Sequence, residues 1–354
     1  MSSNRVVVRQ EDLFRMTSEV FQALGAPEDE ADIIADTLVD ADLRGVHSHG
    51  TMRLNVYPQR ITGGAVSPKV ETKLVKDGPS FALMDGGNGM GQVVSYRAMN
   101  ETIKKAKASG VGLIGVKHSN HFGAAAYFAN MALEADVIGL VFTVSSVNVM
   151  AAWGSVDKLL GNNPLAIGAP AGEELPLLLD MAMSVAAVGK IKLASYSGDN
   201  IPEGWALNKY GEPTIDAHEA LEGLAAPLAG YKGSGLAVMV GAIAGLLTGG
   251  AIGSEVKDIF YNLGEPQNTG HTFMAIDIAH FVELKEYKKR ADTFIRELKN
   301  SKKARGTDVV LMPGEREFLL KAQRKKEGIP LNAEVVRQIS RVAVQFGVKP
   351  VHVE

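Results

Sequence analysis

Two kinds of hydrophobic pattern divide this chain of 354 residues. Amphipathic helical patterns, with apolar residues three and four positions apart, fill the first sixty residues and return between residues 283 and 346. The stretch between them alternates short apolar runs with helical segments, which is typical of α/β and α+β domains. Because the chain exceeds the usual size of one hydrophobic core, we expect two domains. The order of the patterns predicts a sheet domain over residues 76–283, inserted in a helical domain made from both chain ends, residues 1–75 and 284–354.

The same patterns predict individual elements. Helices are predicted over residues 11–24, 28–43, 93–109, 124–134, 283–300, 316–326 and 333–346. Strands are predicted over residues 81–84, 112–116, 137–144, 165–169 and 177–180. Gly45 is placed to end the second helix, so the polar residues after it are expected in a loop.

Residues 110–115 read Gly-Val-Gly-Leu-Ile-Gly, which matches the dinucleotide-binding fingerprint letter for letter. That fingerprint needs a strand before the glycines and a helix after them, so that backbone N–H groups face the pyrophosphate. Here a predicted helix precedes the glycines, and the glycines lie inside an apolar strand. The sequence therefore predicts a buried strand at this position and not a Rossmann turn.

Residues 233–253 carry no charge, and their length alone would permit a membrane span. Gly241, Gly245 and Gly249 recur every four residues, and Lys232 stands directly before the segment. Small residues at this spacing let two backbones approach closely, in protein cores as well as in lipid. We expect a buried helix at a domain or subunit contact and no membrane partner.

Composition excludes several classes of function. The net charge of -3 and the lack of a basic stripe argue against nucleic acid as a partner. The absence of cysteine excludes disulfides, thiolate metal sites and a cysteine nucleophile, so redox chemistry would need a diffusible cofactor. The first ten residues lack the apolar core of a secretory signal, and we expect a cytoplasmic enzyme.

The polar loop DLRGVHSHG, at residues 42–50, is the strongest candidate for a site. With Arg53 and Tyr57 directly after it, two imidazoles, a hydroxyl, a guanidinium and a phenol follow a predicted helix. Loops carry chemistry because a rigid scaffold aims their side chains. The Arg53 guanidinium could bind a substrate carboxylate at two points, and a histidine beside it could act as a general acid. This combination suits a 2-oxo acid site.

Other chemistries fit these residues less well. A second histidine pair, His118 and His121, follows the strand at 112–116, but neither pair has metal-ligand spacing or an acidic neighbour, so we expect no metal. Ser48 lacks the Gly-x-Ser-x-Gly pattern of a hydrolase nucleophile. Each histidine could equally be a hydrogen-bonded structural residue. Lys232, in the run GYKGSG, is compatible with an anion site or with a simple helix-capping turn.

Six segments together resemble the malate/L-lactate dehydrogenase family, which is distinct from the Rossmann-type enzymes and includes sulfolactate, ureidoglycolate and diketogulonate oxidoreductases. They occur in the family's order and read DLRGVHSHG (42–50), NHFG (120–123), GNNPL (161–165), LDMA (179–182), IPEGWA (201–206) and YKGSGL (231–236). The resemblance implies an α/β fold whose nicotinamide-binding sheet is unusual and non-Rossmann, inserted in a helical domain. It also implies a homodimer with its active site in a cleft between subunits.

The resemblance implies roles for particular residues. His49 is expected as proton donor and acceptor, with His121 as a second catalytic histidine, Ser48 and Tyr57 nearby, and Arg53 on the substrate carboxylate. Contacts with NAD or NADP are expected from Ser145, Asp180, Met181, Ala182, Tyr231, Lys232, Gly233, Pro313, Gly314 and Glu315. The chain departs from the family's usual residues at Asn162, Ser155 and Met183, near the expected cofactor strands, which leaves the choice between NADH and NADPH open.

The function implied is hydride transfer between NAD(P)H and a small 2-oxo acid, with a malate-, lactate- or sulfolactate-like 2-hydroxy acid as the product. Ureidoglycolate or a cyclic-imine carboxylate is an alternative substrate on the same scaffold. A histidine-based metal-dependent hydrolase and a catalytically silent nucleotide-binding protein are alternatives from other classes.

Overall fold

The computed structural model describes residues 5–352. The helices are α1 (Gln10–Ala23), α2 (Glu28–Leu43), α3 (Tyr57–Thr62), α4 (Gly91–Ser109), α5 (Ala125–Glu134), α6 (Val188–Ser197), α7 (Ala217–Glu222), α8 (Tyr231–Gly241), α9 (Leu284–Lys299), α10 (Glu315–Glu327) and α11 (Ala333–Gln345). The strands are β1 (Arg5–Val8), β2 (Lys73–Asp77), β3 (Phe81–Asp85), β4 (Val111–Ser119), β5 (Val137–Thr143), β6 (Asn148–Met150), β7 (Leu160–Gly161), β8 (Leu165–Ala169), β9 (Leu177–Met181), β10 (Ala206–Leu207), β11 (Pro213–Thr214), β12 (Leu224–Ala225), β13 (Thr269–Asp277) and β14 (Ile329–Asn332).

The main sheet has seven strands in the order β2-β3-β4-β13-β5-β8-β9. Only β3 and β4 run parallel, and every other neighbouring pair is antiparallel. A Rossmann sheet is mostly parallel, so the predicted non-Rossmann α/β architecture is confirmed. Helices α4 and α5 pack against this sheet.

Strand β13, at the centre of the sheet, was not predicted from the sequence. It pairs with β4 on one side and β5 on the other, and seven of its nine residues are buried, the exceptions being Met274 and Ile276. Its first half contains Thr269, His271 and Thr272, which interrupt the apolar run that marks a buried strand. These polar groups are tolerated in the core because His271 and Thr272 form hydrogen bonds there.

The glycines of the fingerprint-like run lie in a strand, as predicted. Gly110 ends α4 with a φ of 85°, and β4 begins at the next residue. A Cβ added to Gly112 would lie 2.1 Å from the carbonyl oxygen of Thr102 on α4. These two glycines therefore end a helix and let that helix pack closely on the sheet, and they do not form a pyrophosphate loop.

The uncharged segment at residues 233–253 is only partly helical. Helix α8 continues into a π-helical turn, Ala242–Leu246, and the chain then turns at Gly249. Within a single chain its burial is confined to one face, since five large apolar side chains are about half exposed or more: Leu236, Val238, Met239, Leu246 and Leu247. Among residues 5–352, no helix is long and apolar enough to cross a membrane.

The chain ends meet through β1, which pairs antiparallel with β14, and through α11, which packs beside α1. Helix α9 lies elsewhere: the Asp292 carboxylate accepts the N–H groups of residues 172–174, in the connection between β8 and β9. One hydrophobic core includes side chains from α1, α2 and α11 as well as from the main sheet and its helices. The division into two domains at residues 75 and 284 stays a prediction.

Candidate active site

The buried carboxylate of Asp42 holds the loop after α2 in place. Asp42 accepts the N–H and the hydroxyl of Thr51 at 2.8 and 2.6 Å, and its other oxygen lies 2.8 Å from Nδ1 of His47. A Cβ added to Gly50 would come within 2.2 Å of this carboxylate. Asp42, His47, Gly50 and Thr51 thus form the scaffold of the loop, which has two short 3-10 turns, His47–His49 and Thr51–Asn55.

The structure separates the two histidines of this loop. His47 is bound to Asp42, and Arg324 lies 3.3 Å from its other ring nitrogen, so it belongs to the scaffold. His49 instead stacks against His121, with ring centroids 5.5 Å apart and an interplanar angle of 22°. Its Nδ1 lies 2.9 Å from the hydroxyl of Ser48.

The second histidine pair separates in the same way. His118 lies beside Asp85 at 2.9 Å, on an exposed part of the surface. Only His49 and His121 come together, and no group of three or more His, Cys, Asp or Glu residues in the described part of the chain could hold a metal ion.

Hydrogen bonds around His121 determine which ring nitrogen carries its proton. Nδ1 receives the backbone N–H of Gly123 at 3.2 Å and lies 2.7 Å from the Tyr57 hydroxyl. Because a backbone N–H can only donate, Nδ1 must present its lone pair, and Tyr57 donates to it as well. Neutral His121 therefore carries its proton on Nε2.

The backbone that carries His121 is fixed by neighbours that sequence reasoning missed. Its N–H donates to Oε1 of Gln267 at 3.3 Å. A Cβ added to Gly91, the first residue of α4, would lie 2.1 Å from the carbonyl oxygen of Asn120 and 2.5 Å from that of His121. Gly91 and Gln267 are part of the site only through these tertiary contacts, which no local sequence pattern indicates.

His271 is the third imidazole near the site, and it was also missed. Its Nδ1 lies 2.7 Å from the Thr143 hydroxyl, and its Nε2 lies 3.2 Å from the carbonyl oxygen of Asn120. Since that carbonyl can only accept, Nε2 carries the proton. Burial lowers the pKa of His271 to about 3, so the ring is neutral. The one sequence signal that could have indicated His271 is its position among threonines in an otherwise strand-like run, residues 269–277.

Arg53 supplies positive charge beside these imidazoles. Its side chain forms no hydrogen bond or ion pair with any residue from 5 to 352, and its Nε is buried without a partner. Burial, followed by the charge of Arg53, lowers the pKa of His49 to about 3 and that of His121 well below its ordinary value. Burial raises the pKa of Tyr57 to about 12, against the opposing effects of Arg53 and the nearby Gln92 amide. The site is therefore a cation among neutral donors, and it lacks an anion.

The residues predicted for the cofactor fall in two neighbouring groups. One surrounds β9: Asp180 accepts the N–H of Ala126 at the start of α5, and the carbonyl of Pro313 accepts the N–H of Leu178. Only glycine fits at position 314, because an added Cβ would lie 2.6 Å from the carbonyl oxygen of Leu178. Met181 is the last residue of β9 and Ala182 follows it, and Glu315 pairs with Lys299 at 2.5 Å.

The other group joins the end of β5 to the start of α8. The N–H of Ser145 donates to the Asn163 side chain, whose amide nitrogen donates to the carbonyl of Ala237 on α8. Tyr231 and Lys232 are exposed at the first turn of α8, and Gly233 is buried against Leu228. The N–H of Gly233 donates to the carbonyl of Leu228, whereas those of Tyr231 and Lys232, with the lysine side chain beside them, could receive an anionic group.

The chain is similar to known proteins over nearly its whole length. A family model described as malate/L-lactate dehydrogenase matches residues 8–340. The malate dehydrogenase of Pyrococcus abyssi is 41% identical, over 100% of this chain and 98% of its own. The L-sulfolactate dehydrogenase of Methanocaldococcus jannaschii is 38% identical, over 97% and 98%. The solved structure of malate dehydrogenase from Pyrococcus horikoshii OT3 superposes with a TM-score of 0.90 at 39% identity, covering 99% and 98%.

We expect the free energy of unfolding to fall as the pH drops below about 6.5. In the folded chain burial keeps His49, His121 and His271 neutral, whereas the unfolded chain protonates each near its ordinary pKa of 6.5. Each contributes up to roughly 1.4 kcal/mol per pH unit between that value and its folded pKa. Urea unfolding between about pH 8 and pH 5 measures the slope, and His49→Gln should reduce it. A free energy that stays constant down to pH 5 would contradict the prediction.

Proposed function

Because the chain belongs to the malate/L-lactate dehydrogenase family and is a nicotinamide-dependent 2-hydroxyacid oxidoreductase, we propose that Arg53 and the facing pair His49 and His121 form its substrate site. The substrate proposed is a small 2-oxo acid, reduced to a malate-, lactate- or sulfolactate-like 2-hydroxy acid. The observation that carries the proposal is an arginine without an anionic partner beside two stacked, neutral imidazoles.

Arg53 holds the carboxylate of the acid. A carboxylate binds a guanidinium through two parallel N–H bonds, which fixes the orientation of the acid as well as its position. The neighbouring C2 oxygen then comes within reach of the histidines. Ser48 and Tyr57 keep the two rings in place, since each lies within hydrogen-bond distance of a ring Nδ1.

Binding of the acid also raises the pKa of the two histidines, which proton transfer requires. The charge of Arg53 is one cause of the low pKa of both His49 and His121. A carboxylate on Arg53 offsets that charge and raises both pKa values, so the acid binds together with a proton. The protonated histidine delivers that proton to the C2 oxygen, and the reverse reaction returns it.

A bound nicotinamide cofactor supplies or removes the hydride at C2. Ser145, the run from Asp180 to Ala182, the start of α8 from Tyr231 to Gly233, and the loop from Pro313 to Glu315 are the residues proposed to hold it. The N–H groups and the lysine at the start of α8 support a place for phosphate there. NAD and NADP both remain candidates, and the cytoplasmic location stays a prediction.

The function is tested by following nicotinamide absorbance with both cofactors against oxaloacetate, pyruvate and sulfopyruvate. We expect turnover of at least one acid, with a KM for the acid that rises with pH because its binding takes up a proton.

Arg53→Leu should raise this KM at least tenfold and leave the KM for the cofactor unchanged, since it removes the two-point contact. Lack of turnover with every acid would contradict the proposed function, and an unchanged KM would place the carboxylate elsewhere.

Replacing the histidines tests the proton transfer. A positioned general acid contributes about 10²–10⁴-fold, so alanine at the histidine that transfers the proton should lower kcat by that order. His49→Ala and His121→Ala are compared by steady-state kinetics and cofactor titration, and cofactor binding should persist in both. His118→Ala, which lies outside the site, is the control. Full turnover in both site variants would remove the histidines from the mechanism.

We also propose a homodimer, which the apolar face of α8 and the following turn supports. Leu236, Met239, Leu246 and Leu247 are between 47% and 64% exposed, an unusual grouping for a free surface. Sedimentation equilibrium should give twice the chain mass, and Met239→Asp should shift it toward the monomer. Leu193→Asp, equally exposed on α6, is the control. A monomeric wild-type protein would contradict the proposal.

A further inference from the structure

Phe260 stands over the guanidinium of Arg53. The Cζ atom of Arg53 lies 5.4 Å from the centroid of the Phe260 ring, within the range of a cation–π interaction. The ring is 51% exposed, so it is not a core residue whose position follows from packing alone. It is the aromatic ring that approaches Arg53 in the described part of the chain.

The loop that carries Phe260 is held firmly at both ends. Ile259, the preceding residue, is buried, and its N–H donates to the carbonyl of Ser146. The Asp258 carboxylate accepts the N–H of Phe260 at 2.7 Å. The fully buried Arg60 donates to the carbonyl oxygens of Asn262 and Glu265. These contacts fix the backbone that carries the ring close to Arg53.

The position of the ring matters because a carboxylate reaches a guanidinium in its plane. Two-point binding uses N–H groups at the edge of the guanidinium, whereas its faces are free to stack on aromatic rings. The Phe260 ring lies on one side of the guanidinium, so it limits how the group can turn and keeps water from that side, while the N–H groups on the other sides stay available to an anion. The Arg53 guanidinium needs such a restraint, because it has no ion pair or hydrogen bond within residues 5–352 to orient it.

We propose that Phe260 is a positioning residue that orients Arg53 for two-point binding of the substrate carboxylate. This inference rests on the proposed function of Arg53. It assigns Phe260 to the affinity for the acid and not to proton or hydride transfer. Its substitution should therefore change KM for the acid and leave kcat and the KM for the cofactor within about twofold.

The test compares Phe260→Leu with Tyr261→Leu. Leucine keeps an apolar side chain but removes the π face, and Tyr261 is the neighbouring aromatic residue, 85% exposed, with no ring contact to Arg53. A cation–π interaction contributes about 0.5–2 kcal/mol, so Phe260→Leu should raise the Kd of oxalate roughly 2- to 30-fold, and KM for the 2-oxo acid equally. Phe260→Trp should retain tight binding, and Tyr261→Leu should match the wild type.

Oxalate binding is measured by titration calorimetry with and without NADH, so that the result does not depend on turnover. In an Arg53→Leu background, Phe260→Leu should have no further effect, because the group it orients is absent. Wild-type protein that does not bind oxalate, equal losses in the two leucine variants, or additive effects with Arg53→Leu would overturn the proposal. Selective loss of oxalate binding in Phe260→Leu, without turnover of any 2-oxo acid, would uphold it while the proposed function failed.

Discussion

The hydrogen bonds of His271 connect the parts of the sheet on which the rest of the site depends. This ring sits in the central strand β13, between the Thr143 hydroxyl at the end of β5 and the Asn120 carbonyl after β4. Ser145 follows β5 by two residues, and His121 follows Asn120 directly. One neutral, fully buried imidazole thus fixes the distance between the proposed cofactor strand and the histidine loop. In an interior of low dielectric constant, such a satisfied network is rigid, and breaking it leaves several buried polar groups unpaired.

The electrostatics of the site follow from the lack of an anionic partner for Arg53 among the described residues. Buried cations in proteins are usually paired, as Arg44 is with Asp40. Arg53 is only partly buried but has no such partner within the described residues, and after burial its charge is the next cause of the low pKa of both neighbouring imidazoles. The free protein therefore carries an unfavourable arrangement that an anion relieves. Affinity for a carboxylate and readiness to accept a proton then arise from the same charge, so substrate binding and acid catalysis are coupled.

The elements and site residues that could be predicted from the sequence are those marked by residues close together in the chain. The bounds of α2 were predicted to the residue, because its apolar spacing and the glycine after it are local features. The cluster of His49, Ser48, Arg53 and Tyr57 was visible for the same reason. His271 and Gln267 could not be found this way, since the partners that make them part of the site lie about 150 residues away in the chain. The local residue pattern does not separate His47 from His49, and only the family resemblance singled out His49; the structure adds the physical reason, since the buried Asp42 binds His47.

Glycine positions show the same dependence on tertiary contact. The run at residues 110–115 has the letters of a nucleotide loop, yet Gly112 is required because α4 lies directly against it. Gly91 lets the start of that helix touch the backbone of Asn120 and His121, and Gly50 makes room for the Asp42 carboxylate. In each case a side chain would push apart two segments that carry site residues. The site is therefore positioned as much by close backbone packing at these glycines as by the polar side chains that perform the chemistry.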